Sequence, residues 1–257
     1  MITIAIANQK GGVGKTTTAV NIATAMAAVG WRTLLVDLDP QGNASTGVGV
    51  GAADRGDSSY ELLLGESALS ECTVATAIPN LSLVPATVDL SGAELELVSA
   101  DNRATRLREV LAGAEHDICF IDCPPSLGLL TLNALTAADR LLVPLQCEFF
   151  ALEGLSQLLQ TVEQVKNRFN RELTIVGIVL TMYDRRNRLS EQVAADVRET
   201  LGELVFEEVI PRNVRLSEAP SHGLPALVYD HQCAGSRAYM GLARELIGRI
   251  DHRKEAA

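Results

Sequence analysis

The chain has 257 residues, 47% of them hydrophobic and 21% charged, with a formal net charge of −10. That composition supports a sizeable core, points to one α/β domain over residues 1–257, and excludes a disordered or fibrous chain. The acidic balance repels polyanions, so nucleic-acid binding would need a local basic patch.

Met1 leads directly into an apolar strand with no basic segment ahead of it. No apolar stretch reaches the roughly 18 residues that span a bilayer, and a cytoplasmic protein is expected. Five cysteines (Cys72, Cys119, Cys123, Cys147 and Cys233) form no Cys-x-x-Cys pair, the pattern of reduced, buried thiols rather than a zinc site.

Residues 2–7 are apolar and rich in β-branched side chains, as in a buried strand. A glycine-dense turn, residues 8–14, precedes residues with helical spacing over 16–29, and Gly30 is placed to stop that helix. Strand, glycine turn and helix in that order form a phosphate cradle, because backbone N–H groups converge on the anion and the helix N-terminus adds positive partial charge. Lys15 is placed to neutralise outer phosphates, and the Thr16 hydroxyl to complete the shell of a Mg²⁺ ion.

Residues 33–36 form a second buried strand that ends in Asp37-Leu38-Asp39-Pro40, and the polar, glycine-marked stretch 41–47 reads as a loop. Residues 48–77 carry little signal beyond a short helix near 60–64. A strand follows at 81–84 and one long helix at 91–111, with acidic residues early and Arg103, Arg106 and Arg108 late. Residues 118–121 form a strand that delivers Asp122, and residues 140–145 form another. Leu152, Leu155, Leu159, Val162, Val165 and Phe169 mark the packing face of a helix. Strands at 175–181 and 204–209, and helices at 190–201 and 236–250, complete the chain.

Alternating strands and helices with near-continuous apolar strands predict a doubly wound, mostly parallel sheet covered by helices on both faces. In such sheets the ligand sits at the carboxyl ends of the strands. The glycine turn, Asp39 and Asp122 all fall there. Asp122 is placed as the carboxylate that holds Mg²⁺. Asp37 and Asp39 lie two residues apart and lean the same way if the strand persists.

The run Lys10-Gly11-Gly12-Val13-Gly14-Lys15-Thr16-Thr17 resembles the deviant Walker A motif of the ParA/MinD ATPases, with Gln9 where the ordinary phosphate loop has glycine. Residues 36–43 and 121–128 resemble that superfamily's two switch segments, and residues 210–221 resemble a late segment of chromosomal ParA proteins, also called Soj. The resemblance implies a deviant Walker A P-loop NTPase fold, with ATP and Mg²⁺ as cofactors. It implies that Gly11 to Thr17 hold the phosphates and that Lys10 reaches a partner's nucleotide across an ATP-dependent homodimer. Asp39 would orient or activate water, with Asp37 supporting magnesium or the loop. Pro211 and Asn213 would lie along the adenine, where an amide can donate and accept hydrogen bonds.

Arg185, Arg186 and Arg188 form one basic cluster, and Arg212 and Arg215 another, neither with interposed acids in the sequence. By the same resemblance Arg186 and Arg215 would contact DNA phosphates without sequence readout. A ParB-like centromere-binding protein would stimulate hydrolysis, and the protein would sit on the nucleoid. No N-terminal extension is present for a helix-turn-helix, so operator recognition is not expected.

Three other functions are open on the residues. A MinD-like membrane-positioning ATPase would use the closing helix as an anchor, but Glu245, Asp251 and Glu255 dilute its basic face. An iron–sulfur ATPase would need cysteine ligands, and only Cys123 sits in a switch segment. A nucleotide-sensing scaffold would need Asp39 or Asp122 to be inert.

Overall fold

The computed structural model describes residues 1–98, 102–148 and 151–254. In β1 (Ile2–Ile6) successive side chains alternate, with Ile4 and Ile6 on one face of the sheet and Ala5 and Ala7 on the other. α1 (Lys15–Ala28) starts directly after Gly14 and is buried on most sides, which its small residues Ala19, Ala23 and Ala27 permit. β2 (Thr33–Asp37) is buried throughout.

The stretch expected as loop contains α2 (Asn43–Gly47). This turn owes its shape to a tertiary contact rather than to propensity. The backbone N–H and hydroxyl of Ser45 both donate to Asp37 Oδ2, at 2.8 and 2.7 Å. The quiet stretch 48–77 holds α3 (Ser59–Leu64), α4 (Leu69–Cys72) and β3 (Val74–Ala75). Ser58 and Glu61 cap α3 reciprocally, a signature the sequence carries at that spacing.

After β4 (Leu81–Val84), the single helix expected over residues 91–111 is instead two, α5 (Leu90–Leu97) and α6 (Arg106–Leu111). A turn at residues 102–105 separates them, and residues 99–101 lie outside the described residues. The cause is Asn133, which donates to Arg103 O at 2.7 Å and accepts from Leu107 N at 3.2 Å. A buried amide thus bends the chain where the apolar spacing alone would continue the helix.

β5 (Ile118–Asp122) leads to α7 (Leu129–Ala137), then β6 (Arg140–Gln146), α8 (Ala151–Arg168), β7 (Thr174–Tyr183), α9 (Arg188–Leu201) and β8 (Val205–Pro211). The chain closes with α10 (Val214–Glu218), α11 (Ala226–Tyr229) and α12 (Ala234–Lys254). The packing face of α8 is Leu155, Leu158, Val162 and Val165, while Phe169 just beyond the helix is exposed.

All eight strands join one sheet in the order β3-β4-β2-β5-β1-β6-β7-β8. Every pairing is parallel except β3 with β4 at the edge. Helices α1, α2 and α10 to α12 cover one face, and α3 to α9 the other. Because α1 leaves β1 toward one face and α7 leaves the neighbouring β5 toward the other, a crevice opens at the carboxyl ends of these two strands. The apolar stripe of α12, with Tyr239, Leu242, Leu246 and Ile250, is buried against the sheet and α1, so it is not free to enter a membrane. Among the described residues no helix is long and apolar enough to cross one.

Candidate active site

The crevice is rimmed by the glycine turn. Gly12 and Gly14 have φ values of 75° and 86°, a left-handed backbone that suits glycine. A Cβ built on Gly11 or Gly12 would meet nothing within 4 Å, so the rim faces open space. Two distant contacts hold the turn in place. Thr181 of β7 donates from Oγ1 to Val13 O at 2.8 Å, and Asn8 donates from Nδ2 to Pro144 O at 2.7 Å. Lys15 arches back across the turn, its Nζ donating to Lys10 O at 3.1 Å. Burial lowers its pKa, while the nearby Asp122, Cys123 and Asp39 oppose that shift.

Strand register brings the carboxylates together. Asp122 lies beside Ile6 on β1 and beside Asp37 on β2, all at the carboxyl ends. Both aspartates are fully buried, yet their hydrogen bonding differs. Asp37 Oδ1 accepts from Asp39 N at 3.1 Å, and its Oδ2 accepts both Ser45 bonds. Those bonds tie Asp37 to the loop, while Oδ1, with a single hydrogen bond, keeps a lone pair. Neither oxygen of Asp122 has a hydrogen-bond partner of normal geometry. Burial first, and then the charge of Asp37, pushes the Asp122 carboxyl well above the ordinary range, against the pull of Thr16 and Lys15. Burial likewise raises Asp37, to about 6.

An orphaned, buried carboxylate beside a threonine hydroxyl fits a hard divalent cation such as magnesium. Among the described residues no group of three or more His, Cys, Asp or Glu could hold an ion alone, so the remaining ligands must come from phosphate oxygens and water. Asp39 follows the strand and turns outward, half-buried, with Oδ1 accepting from Gln41 N at 3.0 Å.

Lys10 and Lys15 diverge. The Lys10 ammonium leaves the turn and pairs with Glu148, just after β6, and both side chains are nearly half exposed. Glu148 also accepts from Gln146 Nε2. Sequence reasoning missed Glu148 and Thr181, since nothing local marks a residue whose partner lies far along the chain, and it missed Ser45, whose partner Asp37 is eight residues back.

Pro211 and Asn213 line a cavity of about 260 Å³ that also borders Gly14 and Thr17. Asn213 Oδ1 caps α10 by accepting from Arg215 N at 2.9 Å. Nδ2 stays able to donate, and Oδ1 keeps a second lone pair, so the amide retains both capacities. Met182, with φ of 50°, turns β7 out of its strand conformation at the same cavity.

The arginine clusters are not free of acids in space. Arg186 pairs with Asp184 at 3.1 Å, and Arg215 pairs with Glu218 at 2.9 Å and Asp230 at 3.5 Å. Arg185 is exposed and Arg188 opens α9. Cys72, Cys119, Cys123 and Cys147 are buried, and burial raises every one of these thiols, Cys72 and Cys147 to about 11. A cluster ligand must be a thiolate, so such thiols are poorly suited to iron–sulfur chemistry.

A family model described as an AAA domain matches residues 1–175. The chromosome partitioning protein ParA of Caulobacter vibrioides is 57% identical over 99% of this chain and 97% of its own length. The chromosome-partitioning ATPase Soj of Treponema pallidum is 51% identical, over 98% of this chain and 99% of its own. Among solved structures, a cobyrinic acid a,c-diamide synthase from Mycobacterium smegmatis with bound ADP and magnesium superposes with a TM-score of 0.85 at 38% identity, covering 100% of this chain and 97% of that one.

Proposed function

The chain belongs to the ParA/Soj family of chromosome-partitioning ATPases, and on that premise we propose that it is an ATP-driven switch for DNA segregation. Lys15 and the backbone N–H groups of Gly11 to Thr17 hold the triphosphate, and Pro211 and Asn213 border the base. Thr16 and Asp122 would hold magnesium, which when bound neutralises charge on the phosphate oxygens. Asp39 keeps one carboxylate oxygen unspent and orients the attacking water toward the outer phosphate. Lys10 leaves Glu148 to reach the nucleotide of a second copy, so that two subunits close face to face over two nucleotides.

The closed dimer binds DNA nonspecifically through Arg185, Arg186, Arg188 and Arg215. A ParB-like partner accelerates hydrolysis, after which the subunits separate and leave the DNA, on the nucleoid of the cell. The observation that carries the reading is Asp122, fully buried with both oxygens unpartnered beside Lys15. Light scattering with ATP, with ADP and without nucleotide tests it. Wild type is expected to double in mass with ATP alone, and Lys10→Ala and Lys15→Ala to stay monomeric throughout. The same mass in all three conditions would sink the switch.

A further inference from the structure

One side chain joins α5 to the start of α7. Leu90, Ala93 and Leu97 bury the inner face of α5, and Glu94, one helical step past Ala93, stands half-buried at the edge of that face. Its Oε1 accepts from Leu130 N at 3.3 Å.

The start of α7 has no cap of its own. Its N-cap is Gly128, which has no side chain to offer, and its first turn holds no acidic residue. The first backbone N–H groups of a helix lack intrahelical partners, and Leu130 N is one that an N-cap side chain ordinarily takes. Glu94 supplies the missing cap from another helix, and its charge suits the positive end of α7. Gly128 leaves room for it. With φ of −79° and ψ of −166° its backbone is open to any residue, yet a Cβ built there would fall on the Glu94 carboxylate. The glycine thus serves space rather than conformation.

The same helix start is the far end of the segment that carries Asp122. At the near end the sheet fixes Asp122 beside Ile6, and Cys123 N donates to Ile6 O at 3.3 Å. Pro124 and Pro125 follow with φ locked by their rings, so the link to α7 is short and stiff. Thr131 Oγ1 donates to Ser126 O at 2.6 Å and closes the end of that link onto the helix.

We propose that Glu94 is a positioning residue for ATP hydrolysis: by capping α7 it holds residues 123–128 in the setting that presents Asp122 to magnesium and the outer phosphate. The proposal rests on the ATP site described above. The glycine turn is held separately, by Thr181 and Asn8, so ATP binding does not depend on the cap.

The test is steady-state phosphate release by the full chain over a range of ATP at saturating magnesium. Glu94→Ala is expected to lower kcat about tenfold and to leave KM for ATP within about twofold. Gly128→Ala displaces the carboxylate without removing it and is expected to repeat that split. Glu94→Gln is expected to keep most of the wild-type kcat, because its amide oxygen still accepts from Leu130 N. Glu94→Ala combined with Gly128→Ser returns a cap from the N-cap position itself, in the space the glutamate leaves, and is expected to recover kcat. A glutamate that only braced α5 would not be rescued at Gly128. If Glu94→Ala turns over as wild type does, or if the double variant is as slow as Glu94→Ala, the positioning role is wrong and the ATP site stands. If wild type itself releases no phosphate from ATP, both fall.

Discussion

Asp122 illustrates what a single residue can be made to carry. A carboxylate with no hydrogen-bond partner of normal geometry in a fully buried position destabilises the empty protein, because desolvation favours its neutral form. A folded-state pKa raised above the unfolded value means stability is fullest below about pH 4 and is lost as pH rises through the folded value. Asp122→Asn therefore should raise the melting temperature of the nucleotide-free protein at pH 7, by about 2–4 °C for roughly 1 kcal/mol, and flatten its decline as pH rises above about 4. The same variant should lose the stabilisation that magnesium and ATP confer together, and differential scanning fluorimetry reads both effects. The residue was legible in the sequence because an aspartate that ends an apolar strand can be seen locally. Glu148 was not, because its lysine lies 138 residues away and only the folded sheet brings them together.

At the scale of elements, the segment after β2 depends on a residue with no sequence signature. Arg55 is buried and donates to Ala86 O at 2.8 Å, Gly42 O at 3.0 Å and Thr46 Oγ1 at 2.8 Å, tying α2 to the chain after β4. No carboxylate pairs with it among the described residues, so its charge is offset by two backbone carbonyls and the Thr46 hydroxyl. Arg55→Met strands three acceptors and should cost about 3 kcal/mol in urea unfolding. It should also slow turnover more than it weakens ATP binding, since the loop carrying Asp39 loses its anchor while the glycine turn keeps its own. Except for the two-residue β3, the strands were readable because each is an apolar run of ordinary length. The break between α5 and α6 and the turn at α2 were not, because Asn133 and Asp37 impose them from elsewhere in the fold.

For the molecule as a whole, the alternation of strands and helices already implied a parallel sheet with its site at the carboxyl ends, whereas the placing of β5 between β1 and β2, which sets Asp122 beside Asp37, needed the strand order. That order also joins the two ends of the chain. Tyr239 of α12 meets Thr18 of α1 through their hydroxyls, 3.2 Å apart and fully buried, so the first helix is packed by the last. Tyr239, Leu242, Leu246 and Ile250 together bury side chains worth about 6–12 kcal/mol, comparable with the whole stability of a typical domain. A chain ending at Cys233 should accordingly be cleaved rapidly by trypsin and retain no ATP in a filter assay, although every phosphate-binding residue is present. During synthesis the phosphate loop thus emerges first and matures last. A ribosome-bound chain is accordingly expected to take up no ATP until the final helix is released.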